Sequence, residues 1–293
     1  MNISIIIIFD KFREEKINRL LNSIKPQLNS WDHEILLVQE SNADTISILP
    51  KLPIKVRHLT VPEKQGIPFN RNQGIKKSKG DIIIFIDDDC WVQEKWLSSL
   101  LSPLEENHEL LAVTSGTKIP PSNFLGNCIS ALGFPGGGSL GFEKVWKVSA
   151  EGFTDHMAAG NCAMRKEIFG RIGLFDEAMK YGAEDAELSH RLAKNNILIK
   201  YAPDAYAFHE ARTTWNSFFH WQLRRGKANY HLRKKISRIK PFLKLRAWSA
   251  TNVLRHNFTN VKLPVIVTLL GASFVLQQAG YVAEAFRNWK DNL

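Results

Sequence analysis

Two groups of carboxylates in this sequence are placed to do chemistry. The first, Asp87-Asp88-Asp89, follows directly on five apolar residues, Ile82 to Ile86. A run this rich in β-branched residues suits a strand buried on both faces, as in a parallel sheet. The acids then stand at the end of that strand, where ligands collect in open α/β sheets. Three adjacent like charges near a core are costly unless a cation or hydrogen bonds offset them. A hard divalent metal with oxygen ligands would do so, and a solvated acidic turn is the plainer alternative. The second group is Gly182-Ala183-Glu184-Asp185, ahead of a helical stretch with Leu188 and Leu192 facing inward. Acids at a helix start stabilise the macrodipole. One held there also suits a general base: the dipole is expected to keep its pKa low, so that it is ionised when a hydroxyl must be deprotonated.

The elements that would position these groups can be read from periodicity. Ile3 to Phe9 reads as a first buried strand, with Asp10 as cap of a helix whose Ile17, Leu20, Leu21 and Ile24 share one face. Pro26 stops that helix. Glu34 to Gln39 and Ile54 to Leu59 read as further strands, and residues 70–79 as a helical connection. This alternation is that of a doubly wound α/β half. Beyond the acidic triplet come a helix over 94–106, a strand over 110–114, and a strand with small residues over 157–164. Residues 185–195 read as a helix and 197–201 as a strand. The stretch 120–141, with Gly136-Gly137-Gly138 at its centre, reads as a mobile substrate-covering loop. No Lys-Ser or Lys-Thr follows those glycines, so it is not read as a phosphate loop.

Composition narrows the class. The 293 residues are 44% hydrophobic and 23% charged, an ordinary globular balance. Three widely spaced cysteines, Cys90, Cys128 and Cys162, suggest no disulfide framework and point to a reducing compartment. Ile3 to Phe9 lacks the preceding positive segment of a signal peptide. The net charge of +10 is concentrated: residues 211–262 hold thirteen Lys or Arg and no Asp or Glu. Such a stretch points to an anionic surface, lipid head groups or nucleic acid. Its interleaved Trp215, Trp221, Tyr230 and Trp248 would suit nucleic acid, but that reading leaves both acidic motifs unexplained, and no nucleic-acid partner is expected.

Taken together, residues 3–225 resemble a family 2 glycosyltransferase of the GT-A fold. The features that carry the resemblance come in the family's order. They are Arg71-Asn72-Gln73-Gly74-Ile75, Gly80-Asp81, and the DxD motif in Phe85-Ile86-Asp87-Asp88-Asp89. After them stand Gly160-Asn161 with Arg165 and Phe169, then Gly173-Leu174-Phe175-Asp176-Glu177. Glu184-Asp185 with Leu188 and Arg191-Leu192 follow, and His209 comes last. The resemblance implies an α/β, Rossmann-like, mostly parallel twisted sheet with helices on both faces. It implies an inverting, metal-dependent transfer from a nucleotide sugar to a saccharide or lipid-linked acceptor. Asp89 would bind Mn²⁺ or Mg²⁺, Asp87 the metal or the ribose, and His209 would be a further ligand. Asp185 would be the base and Glu184 an acceptor-binding neighbour. Phe9, Asp10, Glu40, Arg71, Asn72 and Asp88 would surround the nucleotide, although Phe9-Asp10-Lys11-Phe12 and Gln39-Glu40 depart from the family's usual residues there. Gln222-Leu223-Arg224-Arg225-Gly226 resembles the Q-x-x-R-W motif with Gly226 in place of Trp, so Arg224 or Arg225 would contact the diphosphate. A nucleotidyltransferase, which also needs a carboxylate-bound metal, is the alternative enzyme class.

The expected division is a glycosyltransferase domain over 1–225 and a basic helical region over 226–293. Residues 263–276 form an apolar run that Gln277-Gln278 interrupts, too short for the ~20 residues of a bilayer span. An interfacial helix on the cytoplasmic face of an anionic membrane is expected, with a packed or homodimerising helix as the alternative.

Overall fold

Seven of the eight residues of β1 (Asn2–Phe9) are buried, which only a central strand covered on both faces allows. The structure, a computed structural model, describes residues 1–41, 52–236 and 239–291. After β1 come α1 (Glu14–Ile24), β2 (Asp32–Glu40), β3 (Arg57–Val61), α2 (Ile67–Lys77), β4 (Ile82–Ile86), β5 (Cys90–Val92) and α3 (Trp96–Glu106). The middle holds β6 (Ala112–Thr114), β7 (Thr117–Lys118), α4 (Phe124–Ser130), α5 (Phe142–Val145), β8 (Phe153–Thr154), β9 (Asn161–Arg165) and α6 (Ile168–Ile172). The chain continues with α7 (Glu184–Lys194), β10 (Ile199–Tyr201), β11 (Ala207–His209), α8 (Trp215–Lys235), α9 (Ile239–His256) and α10 (Leu263–Lys290).

The main sheet has the order β3-β2-β1-β4-β9-β6-β10-β8. Its first four strands are mutually parallel, β9 runs antiparallel to β4 and β6, and β10 is parallel to β6. The period of two sorts the strand residues to two cores. Ile3, Ile5, Ile7, Ile82, Ile84 and Ile86 meet the apolar faces of α1 and α3 on one side. Ile6, Ile8, Ile83 and Phe85 meet residues of α2, α6 and α7 on the other. Each fully buried Ile contributes roughly 1.5–3 kcal/mol, so the strand that ends in the acidic triplet is also among the most firmly held. A small second sheet, β5-β11-β7, caps that end, and its register pairs His209 with Cys90, next to Asp89.

Several expectations are corrected. Asp10 does not cap α1: Arg13 holds that position without a side-chain bond, and the Asp10 carboxylate accepts from Lys11 N. The third strand lies at 57–61, not 54–59. The stretch 120–141 contains a helix, α4, capped where Asn123 Oδ1 accepts from Gly126 N at 2.8 Å. Residues 263–290 are one helix of 28 residues, which runs on through the polar Gln277-Gln278.

That helix packs along α8, and the sequence of both explains why. Gly226 and Gly280 stand at the crossing; a Cβ on Gly226 would overlap the Gln277 carbonyl, and one on Gly280 the Leu223 carbonyl. Hence Gly226 stands where the resemblance calls for Trp. Around the crossing Gln277 donates to Gln222 at 2.7 Å and accepts from Asn229 and Arg246. Further along, the buried Glu284 takes His231 at 2.9 Å and Arg287 at 2.7 Å. Six of the residues that α10 exposes are large and apolar: Val267, Phe274, Val275, Val282, Phe286 and Trp289. At 3.6 residues per turn Val275, Val282, Phe286 and Trp289 fall on the side opposite Gln277 and Glu284, with Val267 and Phe274 on the flank. By length and composition α10 could also cross a membrane.

Candidate active site

The end of β4 carries three carboxylates in three different states. Asp89 Oδ1 lies 3.1 Å from His209 Nε2, and the His209 Nδ1 is 2.7 Å from the Glu210 carbonyl. A carbonyl only accepts, so it fixes the proton on Nδ1 and leaves Nε2 as a lone pair whenever the ring is neutral. Burial opposes both charges, but the pairing prevails: Asp89 is held down at about 2 and His209 is raised. An imidazole lone pair and an ionised carboxylate side by side fit a divalent cation, which would take the place of the imidazolium proton. The Cys90 sulfur lies within 4.8 Å of both. Burial pushes its thiol pKa well up, and a neutral soft sulfur is no ligand for Mn²⁺ or Mg²⁺.

Asp88 and Asp87 sit differently. Burial and the neighbouring Asp89 push Asp88 up to about 6, against the pull of Arg13, whose Nη2 donates to it at 2.8 Å. Asp87, also raised by burial, is not part of the Asp89–His209 cluster; its Oδ1 takes Arg71 Nη2 at 3.4 Å. Gly160 is needed beside it, because a Cβ there would overlap the Asp87 carboxylate.

Arg71 joins the two acidic motifs. It is buried on α2, donates to Glu184 and to the Ala159 carbonyl, and lies against the rings of Phe85 and Phe175. Glu184, expected as an acceptor-binding neighbour, is the buried partner of Arg71. Asp185 is left at the cleft, one-third exposed, its Oδ1 accepting from Ala186 N and its Oδ2 3.9 Å from His156 Nε2. Burial raises its pKa, outweighing the bond to Ala186 N, so the expected lowering by the helix start does not prevail. His156 is stacked on Trp146 at 4.2 Å, and burial pushes its pKa to about 3, so the ring beside Asp185 is neutral.

The other expected donor residues divide. Glu40 is at the end of β2 and accepts from Gly66 N. Asp10 is exposed near the same strand ends. Phe9 is a core side chain packed edge-on to Phe12, and Asn72 is buried in bonds to Phe175 and Glu177. Asn72 thereby clamps the Gly173–Glu177 turn to α2. Arg224 Nε donates to the Tyr181 carbonyl, and Arg225 lies over Phe134 and Trp221. Arg13, His156, Arg212 and Arg246 were not anticipated, for no local pattern marks them; Arg13 alone had a signal, as a cation one helix-start away from the acids.

The parallel half-sheet, the acids at its switch point and the antiparallel β9 define a GT-A fold. The chain belongs to the glycosyl transferase family 2, whose description matches residues 4–173. It is 28% identical over 205 residues to polypeptide N-acetylgalactosaminyltransferase 11 of Xenopus tropicalis, covering 62% of this chain and 34% of the relative. The chain spans about a third of the length of the curated relatives it matches. Among solved structures it is similar to the mannosyltransferase PcManGT of Pyrobaculum calidifontis in complex with GDP-Man and Mn²⁺. That likeness has a TM-score of 0.63 at 18% identity and covers 100% of this chain and 88% of the other. GalNAc-T7 with UDP, GalNAc and Mn²⁺ gives a TM-score of 0.54 at 16% identity, over 72% of this chain and 43% of that one.

Proposed function

We propose that the chain transfers a glycosyl unit from a nucleotide-sugar donor to a hydroxyl of a saccharide or lipid-linked acceptor, inverting the anomeric carbon. Arg71 carries this reading: one buried cation ties Asp87 at the end of β4 to Glu184 at the start of α7, and so holds Asp185 beside the acidic turn. The names of the similar structures, with GDP-Man or UDP and Mn²⁺, support the donor class. Asp89 and His209 would hold Mn²⁺ or Mg²⁺, which would supply charge neutralisation of the diphosphate leaving group. Asp185 takes the proton of the acceptor hydroxyl as its oxygen bonds to the anomeric carbon and the bond to the diphosphate breaks. One displacement inverts the centre, and no covalent nucleophile is required. The test is the product released with Mn²⁺ and a panel of nucleotide sugars. Free nucleoside diphosphate is expected, and pyrophosphate would show nucleotidyl transfer instead.

A place at the cytoplasmic face of an anionic membrane, in the assembly of cell-surface glycoconjugates, belongs to the same proposal. The exposed apolar row of α10 supports it, together with the cations Lys262, Arg287 and Lys290 at the two ends of that helix. Three free cysteines accord with a reducing compartment.

A further inference from the structure

His209 stands between two residues that α1 grips from behind. Phe208 stacks on its cross-strand partner Trp91, ring centroids 5.5 Å apart, and the Arg19 guanidinium lies 4.1 Å over that Trp91 ring. Arg19 Nη2 also donates to Glu210 Oε1 at 2.7 Å, and Lys16 Nζ donates to Glu210 Oε2. Lys16 and Arg19 are three positions apart, so they share one face of α1, beside the face that Ile17, Leu20 and Leu21 bury on the sheet. Successive side chains of a strand point to opposite sides. The side that α1 holds is therefore the one away from the contact of His209 with Asp89.

Glu210 connects this grip to the acidic turn through its main chain. Its carbonyl is the acceptor for His209 Nδ1 at 2.7 Å, and its N–H donates to the Asp89 carbonyl at 3.4 Å. β11 ends at His209, and residues 210–214 are irregular up to the start of α8. A contact of 3.4 Å is a weak hold on a chain just past the end of its strand. The two ion pairs of the Glu210 side chain are the firmer one, and they locate the carbonyl. They also meet its charge, so that Glu210 enters the site without adding an unpaired anion.

We infer that Lys16 and Arg19, acting through Glu210, are positioning residues for the divalent ion. They hold the carbonyl that keeps the His209 proton on Nδ1 and the Nε2 lone pair turned towards Asp89. The inference rests on the transferase reading, in which Asp89 and His209 hold Mn²⁺ or Mg²⁺. A carbonyl behind a ligating histidine fixes its tautomer and ring orientation, and loss of such a partner typically costs about 10- to 100-fold in metal affinity.

The experiment is Mn²⁺ uptake by the full chain, read from the electron paramagnetic resonance signal of the free ion, with and without saturating nucleoside diphosphate. Lys16→Met with Arg19→Met is expected to raise the Kd for Mn²⁺ roughly tenfold or more. The sign separates positioning from charge: removing two cations near a metal site eases repulsion, so a purely electrostatic role would tighten the ion. Glu210→Gln, which keeps one acceptor for Arg19, should fall in between, and Lys16→Arg, which keeps donor and charge, should bind as the wild type does. The three side chains are 24–39% exposed, and ion pairs so wetted add little to stability, so the variants should fold. Position itself is read from the His209 nitrogens in ¹⁵N spectra of the metal-free chain with the ring neutral, the signals being identified by their loss in His209→Gln. An Nδ1-protonated ring is expected in the wild type and a mixture of tautomers in the double variant. Unchanged or tighter Mn²⁺ binding in the double variant, or a ring that stays Nδ1-protonated there, would overturn the inference and leave the metal reading standing. If the wild type takes up no Mn²⁺ in either condition, the metal reading falls and the inference with it.

Discussion

Replacing Arg71 by Met tests the link between the two acidic motifs. The substitution keeps most of the stem packed between Phe85 and Phe175 but removes the charge that Glu184 and Asp87 share. Glu184 then remains buried, with burial and Asp185 raising its pKa and only a backbone hydrogen bond left to oppose them. Removing one member of a buried pair costs about 3–5 kcal/mol. For a chain of this size that is a fall of roughly 6–20 °C in Tm, at 2–4 °C per kcal/mol. The sign with pH follows. A buried carboxylate whose folded pKa is raised favours folding below its unfolded pKa and loses that contribution as pH rises through the folded value. The deficit of the variant should therefore be smallest in acid and grow towards neutral pH. Adding Glu184→Gln removes the stranded charge and should restore about half of the loss. Thermal and urea unfolding of the four proteins of this cycle, at two pH values, provides the measurement. A deficit under about 1 kcal/mol, or a double variant worse than the sum of the singles, would refute the argument that Arg71 is a buried, shared counter-ion.

Asp89→Asn should abolish metal-dependent nucleoside diphosphate binding in calorimetry with Mn²⁺, since His209 alone is left; unchanged affinity would sink the metal assignment. Asp185→Asn should lower turnover about 10²- to 10⁴-fold with donor affinity retained. Because burial raises the Asp185 pKa, the acid limb of the wild-type rate profile should lie above the ordinary aspartate range of about 3.9, and the Asn variant should be no less stable at neutral pH. Gly280→Leu should push α10 off α8, seen as rapid proteolysis of the tail with nucleotide binding intact; a protected tail would mean that the crossing tolerates a side chain. Co-sedimentation with anionic vesicles is expected, with partial release by salt and loss in Phe274→Glu with Val275→Glu; equal binding of the two proteins would remove α10 from the contact.

What the sequence disclosed depended on whether a group's partners are near it in the chain. Ile82 to Asp89 could be read because continuous burial and an abrupt change to acids are local facts. Arg71 and Glu184 are separated by 113 positions, and no pattern within either segment names the other. The raised pKa of Asp185 is hidden from the sequence for a related reason: the helix start is visible there, whereas the burial that outweighs it comes from packing. In α10 the small or polar residues Ser273, Gln277, Gly280 and Glu284 recur at helical spacing, a stripe rather than an interruption; it is legible only once α8 supplies Gln222, Asn229 and His231 to meet it. The helix in 120–141 was hidden by its small residues, though Ser122-Asn123 is a cap signal that could have revealed it.

Over its C-terminal half α10 is mounted in reverse, with Gln277 and Glu284 inward and large apolar side chains outward, whereas Ile266 and Leu269 of its first turns are buried among apolar neighbours. Its 28 residues make a rod about 42 Å long, fastened near its middle by Gln277 and towards its end by Glu284. Rolling the rod about its own axis would strand a buried carboxylate and an amide at once. Whatever covers Val275, Val282 and Phe286 therefore meets them at one azimuth, and through the Gly226–Gly280 crossing that azimuth is keyed to α8 and the cleft. The tail is thus a fixed bearing that aims the cleft, and not a tether of free length.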